Sequence, residues 1–232
     1  MFDALFTTTT EYKKLSHALS GKGACALFGL PASGRAQVYA ALCRQLDKPL
    51  CIVTPGEAEA TRFAADLNTL GIPTAVFPAR DYVLRPIEGT AREYEYRRLA
   101  VLGELVGGRL RAVAVPAEAL TQFTTPKEDF CANTRTLHAG DTLLRDDLLA
   151  ALFGAGYTRR AQVDGPGQFS VRGDIVDIFA PDQKMPVRME FWGDEIDTLH
   201  TFDLTTQRRE DAIDKFYLSP AREVLFGKPA DA

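Results

Sequence analysis

The first half of the chain alternates short apolar runs with longer segments in which apolar residues recur every three or four positions. The apolar runs predict buried strands at residues 24–29, 49–55, 74–79 and 111–117. The segments between them predict helices at residues 35–46, 57–70 and 91–106. Continuous apolar strands that take turns with helices are typical of a parallel sheet covered on both faces, so the first half is predicted to be an α/β unit.

The pattern changes after about residue 120, where strands follow one another with short turns between them. Strands are predicted at residues 157–163, 168–172, 175–179, 187–192, 196–202 and 212–218, with one helix at 143–153. The Gly-Asp pair in the stretch Trp192–Glu195 is typical of a tight hairpin turn. The predicted fold class is therefore α/β: a parallel-sheet subdomain followed by an α+β antiparallel-sheet subdomain, with the boundary between residues 116 and 126. The G-x-x-x-x-G spacing of Gly29 and Gly34 makes the first subdomain degenerate P-loop NTPase-like.

The composition is that of an ordinary globular protein, with 46% hydrophobic and 25% charged residues. The net charge of −4 divides into +2 for residues 1–120 and −6 for residues 121–232, which disfavours a protein whose whole surface coats DNA. No apolar run approaches the ~20 residues that span a bilayer, so no membrane contact and a cytoplasmic location are expected. The cysteines lack C-x-x-C spacing, so no metal site is expected: Cys25, Cys43, Cys51 and Cys131.

A glycine pair early in the chain has the spacing of a phosphate-binding loop, G-x-x-x-x-G, from Gly29 to Gly34. Arg35 and Ala36 stand where a Walker A loop has Lys and Ser or Thr, and Ala36 has no oxygen to hold Mg²⁺. No predicted strand ends in an acidic pair that would hold the metal instead. The four residues are therefore interpreted as a degenerate phosphate loop without catalysis, which leaves residual anion binding or a purely structural turn as alternatives.

The second half contains a run in which an arginine precedes a glycine, Arg172 before Gly173, with Phe169 nearby as an expected exposed aromatic residue. Arginine beside an exposed aromatic residue is the composition of a protein-binding hot spot. The alternative is that Arg172 only pairs with Asp174 or Glu190 on a solvated sheet face. The candidate partner-binding residues are Arg172, Phe169, Arg159 and Arg160.

Several arginines between residues 80 and 98 interleave with Glu93 and Glu95, which predicts a solvated loop and helix face. Contacts of these arginines with DNA or with other domains stay open. The group consists of Arg80, Arg85, Arg92, Arg97 and Arg98.

The runs F-S-V-R-G-D-I-V-D-I-F and R-M-E-F-W-G-D-E-I-D resemble the UvrB-homology module of bacterial nucleotide excision repair, which UvrB shares with the transcription-repair coupling factors. The resemblance covers essentially the whole chain. Arg35-Ala36, together with the absence of a long Tyr-rich hairpin insertion in residues 77–105, favours the coupling factors. The implied domains are residues 1–120 (like domain 1a of UvrB), 121–216 (like its UvrA-interaction domain 2) and 217–232 (returning toward a 1b-like region).

The resemblance implies that the chain is an N-terminal fragment and a non-catalytic adaptor that binds UvrA and recruits DNA repair to RNA polymerase stalled at damage. The parent protein would be an ATP-dependent DNA translocase, with ATP and Mg²⁺ held by motor domains outside this chain, so the chain itself needs no cofactor. The resemblance assigns UvrA binding to Arg172 first, although Ser170 stands where UvrB-type sequences often have an arginine. The alternative is a UvrB-like or other P-loop ATPase or helicase fragment that binds nucleotide and DNA.

Overall fold

The structure, a computed structural model, describes residues 7–21, 24–46, 49–80 and 91–223. These residues form two compact units. The first comprises the described parts of Met1–Ala79 together with Gly107–Thr121, and the second comprises the described parts of Arg80–Val106 and Gln122–Ala232. The helix Ala91–Val106 belongs to the second unit, although the sequence pattern places it in the first. The predicted boundaries at residues 120 and 216 stay predictions.

The first unit is built on a parallel sheet with the strand order β1-β3-β2, which confirms the predicted parallel sheet. Its strands are β1 (Leu50–Thr54), β2 (Thr74–Val76) and β3 (Ala112–Pro116). Its helices are α1 (Thr10–Ser20), α2 (Ala32–Gln45), α3 (Glu57–Thr69) and α5 (Ala117–Leu120). Helix α1, which the sequence analysis missed, begins where the Thr9 side chain accepts a hydrogen bond from the Tyr12 amide. A buried cluster joins α2 and α3 to the sheet: Ala40, Cys43, Ile52, Phe63, Leu67, Ile72 and Ala112.

The apolar run at residues 24–29, predicted as a buried strand, has no regular secondary structure and is exposed in the structure. Phe28 is 88% exposed and Leu27 is 45% exposed. None of the described strands pairs with this run, so its backbone groups have no ladder to join. The prediction of a strand here is wrong, because a short apolar run cannot specify a strand without a neighbour to pair with.

The second unit is built on a sheet with the strand order β10-β9-β8-β7-β6-β5, antiparallel except between β5 and β6. The strands are β5 (Thr158–Arg159), β6 (Gln168–Arg172), β7 (Ile175–Phe179), β8 (Val187–Trp192), β9 (Glu195–Phe202) and β10 (Arg209–Ala212). A separate pair consists of β4 (Arg135–His138) and β11 (Lys215–Leu218). The helices are α4 (Ala91–Val106), α6 (Lys127–Ala132) and α7 (Arg145–Gly154). The predicted antiparallel α+β unit is confirmed.

The predicted strands match the observed ones best where the apolar alternation is regular. Residues 168–172, 175–179 and 187–192 form strands with the predicted bounds, and the hairpin turn at Trp192–Glu195 pairs those two residues as expected. The strand predicted at residues 157–163 is shorter in the structure, where it is β5. The strand predicted at residues 212–218 is not continuous, because Lys215–Leu218 pairs with β4 and not with the large sheet. Strand β4 and helix α6 were not predicted.

The larger buried cluster of the second unit lies on one face of the large sheet, and a smaller one with Phe179 and Phe202 lies on the other. Alternate residues of β6, β7 and β8 point into this core, where Leu148 and Leu152 of α7 pack against them. Leu137 of β4 and Phe216 and Leu218 of β11 complete the cluster. The sheet residues in it include Phe169, Val176, Ile178, Val187, Met189, Phe191, Ile196 and Leu199. The residues between them therefore form the opposite face of the sheet.

The expectation that the arginines at 80–98 are solvated is wrong for Arg98, which is fully buried. Its guanidinium lies 2.8 Å from the carboxylate of Glu223, and Arg80 lies 2.8 Å from the same carboxylate. The local charge pattern cannot reveal this, because the counter-charge comes from 125 residues further along the chain. Arg92 and Arg97 are exposed, as expected, and Arg85 lies outside the described residues.

Gly167 is a position where a Cβ atom would clash with the side chain of Tyr96 unless that ring moves. Its φ is +73°, and a Cβ there would lie 2.5 Å from the hydroxyl oxygen and 3.0 Å from the ring of Tyr96. We expect Gly167→Ala to lower the free energy of unfolding by about 3 kcal/mol, since backbone strain and a steric clash add. Gly173→Ala is the matched control, with φ of +59° and no atom near its Cβ, and should cost about 1 kcal/mol. Equal shifts of the two urea midpoints would contradict the clash with Tyr96.

Candidate partner-binding surface

The face of the large sheet opposite the core carries most of the charged side chains of β6 to β10. We call it the polar face and define it by Ser170, Arg172, Asp177, Arg188, Glu190, His200 and Arg209. Alternation along β6 places Phe169 and Val171 with the core and Ser170 and Arg172 on the polar face. The tight turn after Arg172 fixes the register of β6 and β7, which sets Ser170 opposite Asp177. The pairing of β7 with β8 sets Asp177 opposite Arg188.

Asp177 is a buried carboxylate, 1% exposed, that binds two guanidinium groups. Arg188 donates from Nε to Oδ1 at 2.7 Å and from Nη2 to Oδ2 at 2.9 Å, and Arg172 donates from Nη2 to Oδ2 at 2.7 Å. The hydrogen bonds with Asp177 raise the pKa of Arg188 above its ordinary value. The guanidinium of Arg188 also lies 4.8 Å from the centre of the Phe202 ring. This group of one carboxylate and two arginines carries a net charge of about +1, since arginines stay protonated and the carboxylate is ion-paired.

Arg172 is the exposed member of this group. Its side chain is 48% exposed, while Asp177 holds it through one nitrogen. The sequence alternative, pairing with Asp174 or Glu190, names the wrong carboxylates, because Arg145 binds Asp174 and Arg209 binds Glu190. A guanidinium that is fixed at one edge and exposed at the other is prepared to bind a carboxylate of a partner.

Phe169 is fully buried, so the expectation of an exposed aromatic residue at this position is wrong. Its ring packs edge-to-face on Phe153 of α7, with the ring centres 5.2 Å apart. An exposed aromatic residue does occur on the large sheet: Trp192, which is 80% exposed and was not among the predicted site residues. Trp192 follows Arg188 and Glu190 at two-residue spacing on β8, and this alternation places it on the side of the polar face. The same alternation could have identified it from the sequence.

The remaining candidates lie at or beside the edge of the sheet. Arg159 belongs to β5, the edge strand next to β6, and Arg160 directly follows it; both are exposed. The Arg160 amide donates to the carbonyl of Phe169 at 2.8 Å, which attaches this segment to β6. Ser170, next to Phe169, is 1% exposed, and its hydroxyl has no hydrogen-bond partner among the described residues. The structure therefore places Arg172 on β6 and Arg159, followed by Arg160, on the neighbouring edge strand of the same sheet, with Arg159 opposite Phe169 and not opposite Arg172.

The glycine-spaced segment of the first unit is arranged as the start of a helix. Helix α2 begins at Ala32, before the second glycine, so the amides of Gly34 and Arg35 donate to the carbonyl of Pro31 at 2.9 and 3.2 Å. Arg35 is exposed and lies 3.9 Å from Glu59, while Ala36 is 3% exposed and packs in the interior. Gly29 has a φ of +82° ahead of this turn. Two of the amides that would line a phosphate loop are thus occupied within the helix.

The described part of the chain offers neither a metal-binding cluster nor a helix that could span a membrane. It contains no group of three or more His, Cys, Asp or Glu side chains placed to hold a metal ion. Over the same residues, every helix is too short or too polar to cross a membrane.

Comparison with known proteins relates the second unit to a repair-protein family. Residues 136–224 match the family described as the UvrB interaction domain. This range contains β5 to β11 and all of β4 except Arg135, and therefore the whole polar face. The motifs on which the resemblance was based, at residues 169–179 and 188–197, lie inside it.

Most of the chain is similar to part of longer repair proteins. It is 35% identical over 207 residues to the transcription-repair-coupling factor of Myxococcus xanthus, covering 85% of this chain and 17% of that protein. It is 28% identical over 201 residues to the transcription-repair-coupling factor of Bacillus subtilis, covering 86% of this chain and 17% of that protein. It is 28% identical over 217 residues to the UvrABC system protein B of Chlorobium limicola, covering 87% of this chain and 32% of that protein. The chain therefore matches an N-terminal UvrB-homology module of the transcription-repair-coupling factors.

Proposed function

We propose that the chain is a non-catalytic adaptor that binds UvrA through the polar face of its second unit. The observation that carries the proposal is Arg172, an exposed guanidinium anchored on the buried Asp177 within the matched UvrB interaction domain. Anchoring limits the rotamer entropy that Arg172 loses on binding, so more of the interaction energy appears as affinity. Arg209 and Trp192 extend the same surface with a second cation and an exposed aromatic ring.

The chemistry of this surface defines what the partner presents. Three arginines and two carboxylates leave the polar face positive, although the half of the chain from residue 121 has a net charge of −6. A partner surface with an exposed carboxylate opposite Arg172 and an apolar patch opposite Trp192 matches this arrangement. UvrA is the partner that the family name and the resemblance indicate.

The adaptor acts within a larger protein. The parent, on this proposal, is an ATP-dependent DNA translocase that displaces stalled RNA polymerase, and the chain recruits nucleotide excision repair to that place. DNA, RNA polymerase, ATP and Mg²⁺ are then contacts of other parts of the parent. The helical start at Pro31 supports this reading over a nucleotide-binding ATPase, since the amides of Gly34 and Arg35 already donate within α2.

Charge reversal at Arg172 tests the proposal. Titration calorimetry of the chain with purified UvrA should give a measurable affinity that Arg172→Glu weakens about 30-fold or more, the size expected for a hot-spot residue of about 2 kcal/mol. Arg135→Glu is the matched control, because Arg135 is exposed and lies on β4, outside the large sheet. Its affinity should stay within about twofold of the unmodified chain.

The possible outcomes test the choice of surface and the adaptor function separately. An unchanged affinity for Arg172→Glu would show that the polar face is the wrong surface. Equal losses in both variants would show that only net charge matters. Absence of binding by the unmodified chain would contradict the adaptor proposal itself.

A further inference from the structure

The polar face changes in charge along its strands and ends at an exposed tryptophan. On β8 the residues on this side are Arg188, Glu190 and then Trp192, which is 80% exposed. Glu195, the first residue of β9, pairs directly with Trp192, so the two side chains lie on the same side of the sheet. Asp194 lies in the turn between them, and both acidic residues are exposed. We call Trp192, Asp194 and Glu195 the Trp192 end; it is aromatic and acidic, whereas the centre of the polar face is basic.

The backbone around the Trp192 end is held from two sides. The Phe191 amide donates to the carbonyl of Asp174 at 2.9 Å, which attaches β8 to the turn between β6 and β7. The Leu143 amide donates to the carbonyl of Asp194 at 2.7 Å, which attaches the β8–β9 turn to the segment before α7. Because a tryptophan side chain also has few rotatable bonds, little conformational entropy is lost when a partner covers Trp192.

The carboxylates decide which group a partner can place on the Trp192 ring. The neighbouring arginines bind other carboxylates, since Arg145 lies 3.4 Å from Asp174 and Arg209 is paired with Glu190. An apolar pocket that closed over the indole would also remove Glu195 from water, and desolvating a carboxylate without a counter-charge is costly. A Lys or Arg side chain avoids this cost, because its apolar stem covers the ring while its charge lies near the carboxylates. The face of an indole also attracts a cation.

We propose that the Trp192 end receives a Lys or Arg side chain of the protein that binds the polar face. The inference rests on the proposed function, which makes UvrA this partner, and it adds the charge of the group opposite Trp192. A partner that presents a carboxylate to Arg172 and a cation to Trp192 docks in one orientation, because turning it around would bring like charges together. The Trp192 end therefore sets the orientation of the partner on the sheet.

Trp192 is the only tryptophan of the chain, so tryptophan fluorescence reports on this position alone. The full chain is titrated with the peptide hexalysine as the probe and with hexaglutamine as a neutral peptide of the same length. Hexalysine should change the emission in a saturable way, and hexaglutamine should not. Glu195→Gln should weaken the affinity for hexalysine about threefold, because the site loses one negative charge. Glu128→Gln is the matched control on α6, where Glu128 is exposed and outside the large sheet, and it should leave the affinity unchanged.

Titration calorimetry with UvrA connects the Trp192 end to the proposed partner. Trp192→Ala should weaken binding about 30-fold, the size expected for a hot-spot residue, and Glu195→Gln about threefold. Trp192→Leu keeps an apolar side chain without the aromatic face and should still weaken binding about fivefold. An apolar group of the partner would give a different result, since removing the charge of Glu195 would then leave the affinity unchanged or raise it. Circular dichroism confirms that each variant is folded.

The outcomes distinguish this inference from the proposed function. UvrA binding that is unchanged in Trp192→Ala or in Glu195→Gln would overturn the cation at Trp192 and leave the adaptor function intact. Equal emission changes with hexalysine and hexaglutamine would overturn the preference for a cation. Binding of hexalysine at Trp192 without any binding of UvrA would contradict the adaptor function and support the cation site.

Discussion

Replacing Glu223 by Gln should lower the free energy of unfolding of the second unit by about 3–5 kcal/mol, the cost of breaking a buried ion pair by neutralising one member. Glu223 and Arg98 are both fully buried. Arg98 donates from Nε to both carboxylate oxygens, at 3.0 and 2.8 Å, and from Nη2 to Oε1 at 2.8 Å. Gln keeps the shape of Glu but removes the negative charge, so the guanidinium of Arg98 loses a buried carboxylate to which it donates three hydrogen bonds. Urea unfolding followed by circular dichroism measures the change.

The exposed Glu210 on β10 provides the matched control for this prediction. Glu210→Gln makes the same chemical change on a solvated edge strand and should alter the free energy of unfolding by less than about 0.5 kcal/mol. The double replacement Arg98→Met with Glu223→Met should recover much of the loss, because a buried ion pair exchanged for apolar side chains is often neutral. A Glu223→Gln midpoint equal to that of Glu210→Gln would refute the role of the pair.

Glu223 has this effect because it joins separate parts of the second unit. Its amide donates to Glu95 Oε1 at 2.8 Å, and its carbonyl accepts a hydrogen bond from Thr125 Oγ1. Arg98 in turn donates to the carbonyl of Phe123 at 3.2 Å. The pair therefore attaches the segment after β11 to α4 and to the segment before α6.

The strands of the second unit could be predicted because their apolar residues alternate with polar ones. The same alternation indicates that Phe169 is buried. In the run from Phe169 to Arg172, apolar and polar residues take turns, so Phe169 shares the face of Val171. The hot-spot composition led instead to the expectation of an exposed ring. Where the alternation and the hot-spot composition give opposite predictions for a phenylalanine, the alternation decides. Burial of a phenyl ring stabilises the folded state by about 2 kcal/mol.

The ion pairs could not be predicted in the same way, because they depend on register. The two-residue turn at Gly173 and Asp174 sets Arg172 opposite Ile175, which brings Asp177 to the diagonal position within reach of Arg172. A turn longer by one residue would move Asp177 to the other face of the sheet. The partner of Arg98 was further out of reach, since Glu223 lies beyond the whole sheet in the sequence. The strand predicted at residues 24–29 is absent although its composition is suitable. It has no neighbour to pair with among the described strands.

Asp177→Asn should lower the free energy of unfolding of the second unit by about 3 kcal/mol, because Arg188 is largely buried and would lose its counter-charge. Arg172→Ala should lower the free energy of unfolding by less than about 1 kcal/mol, since the arginine side chain that it removes is half exposed and its charge is solvated. Asp197→Asn on the exposed side of β9 is the control and should be neutral within about 0.5 kcal/mol. Urea unfolding of the three variants measures these differences.

The same variants distinguish an effect on folding stability from an effect on partner binding. If Asp177 positions Arg172, Asp177→Asn weakens UvrA binding under conditions where the variant is still folded, whereas Arg172→Ala weakens binding at nearly full stability. Because the two side chains share one hydrogen bond, the double variant should bind no more weakly than Arg172→Ala alone, and additive losses would contradict the positioning role. Full stability of Asp177→Asn would mean that the two arginines do not depend on the carboxylate, and the anchored guanidinium would no longer account for the polar face.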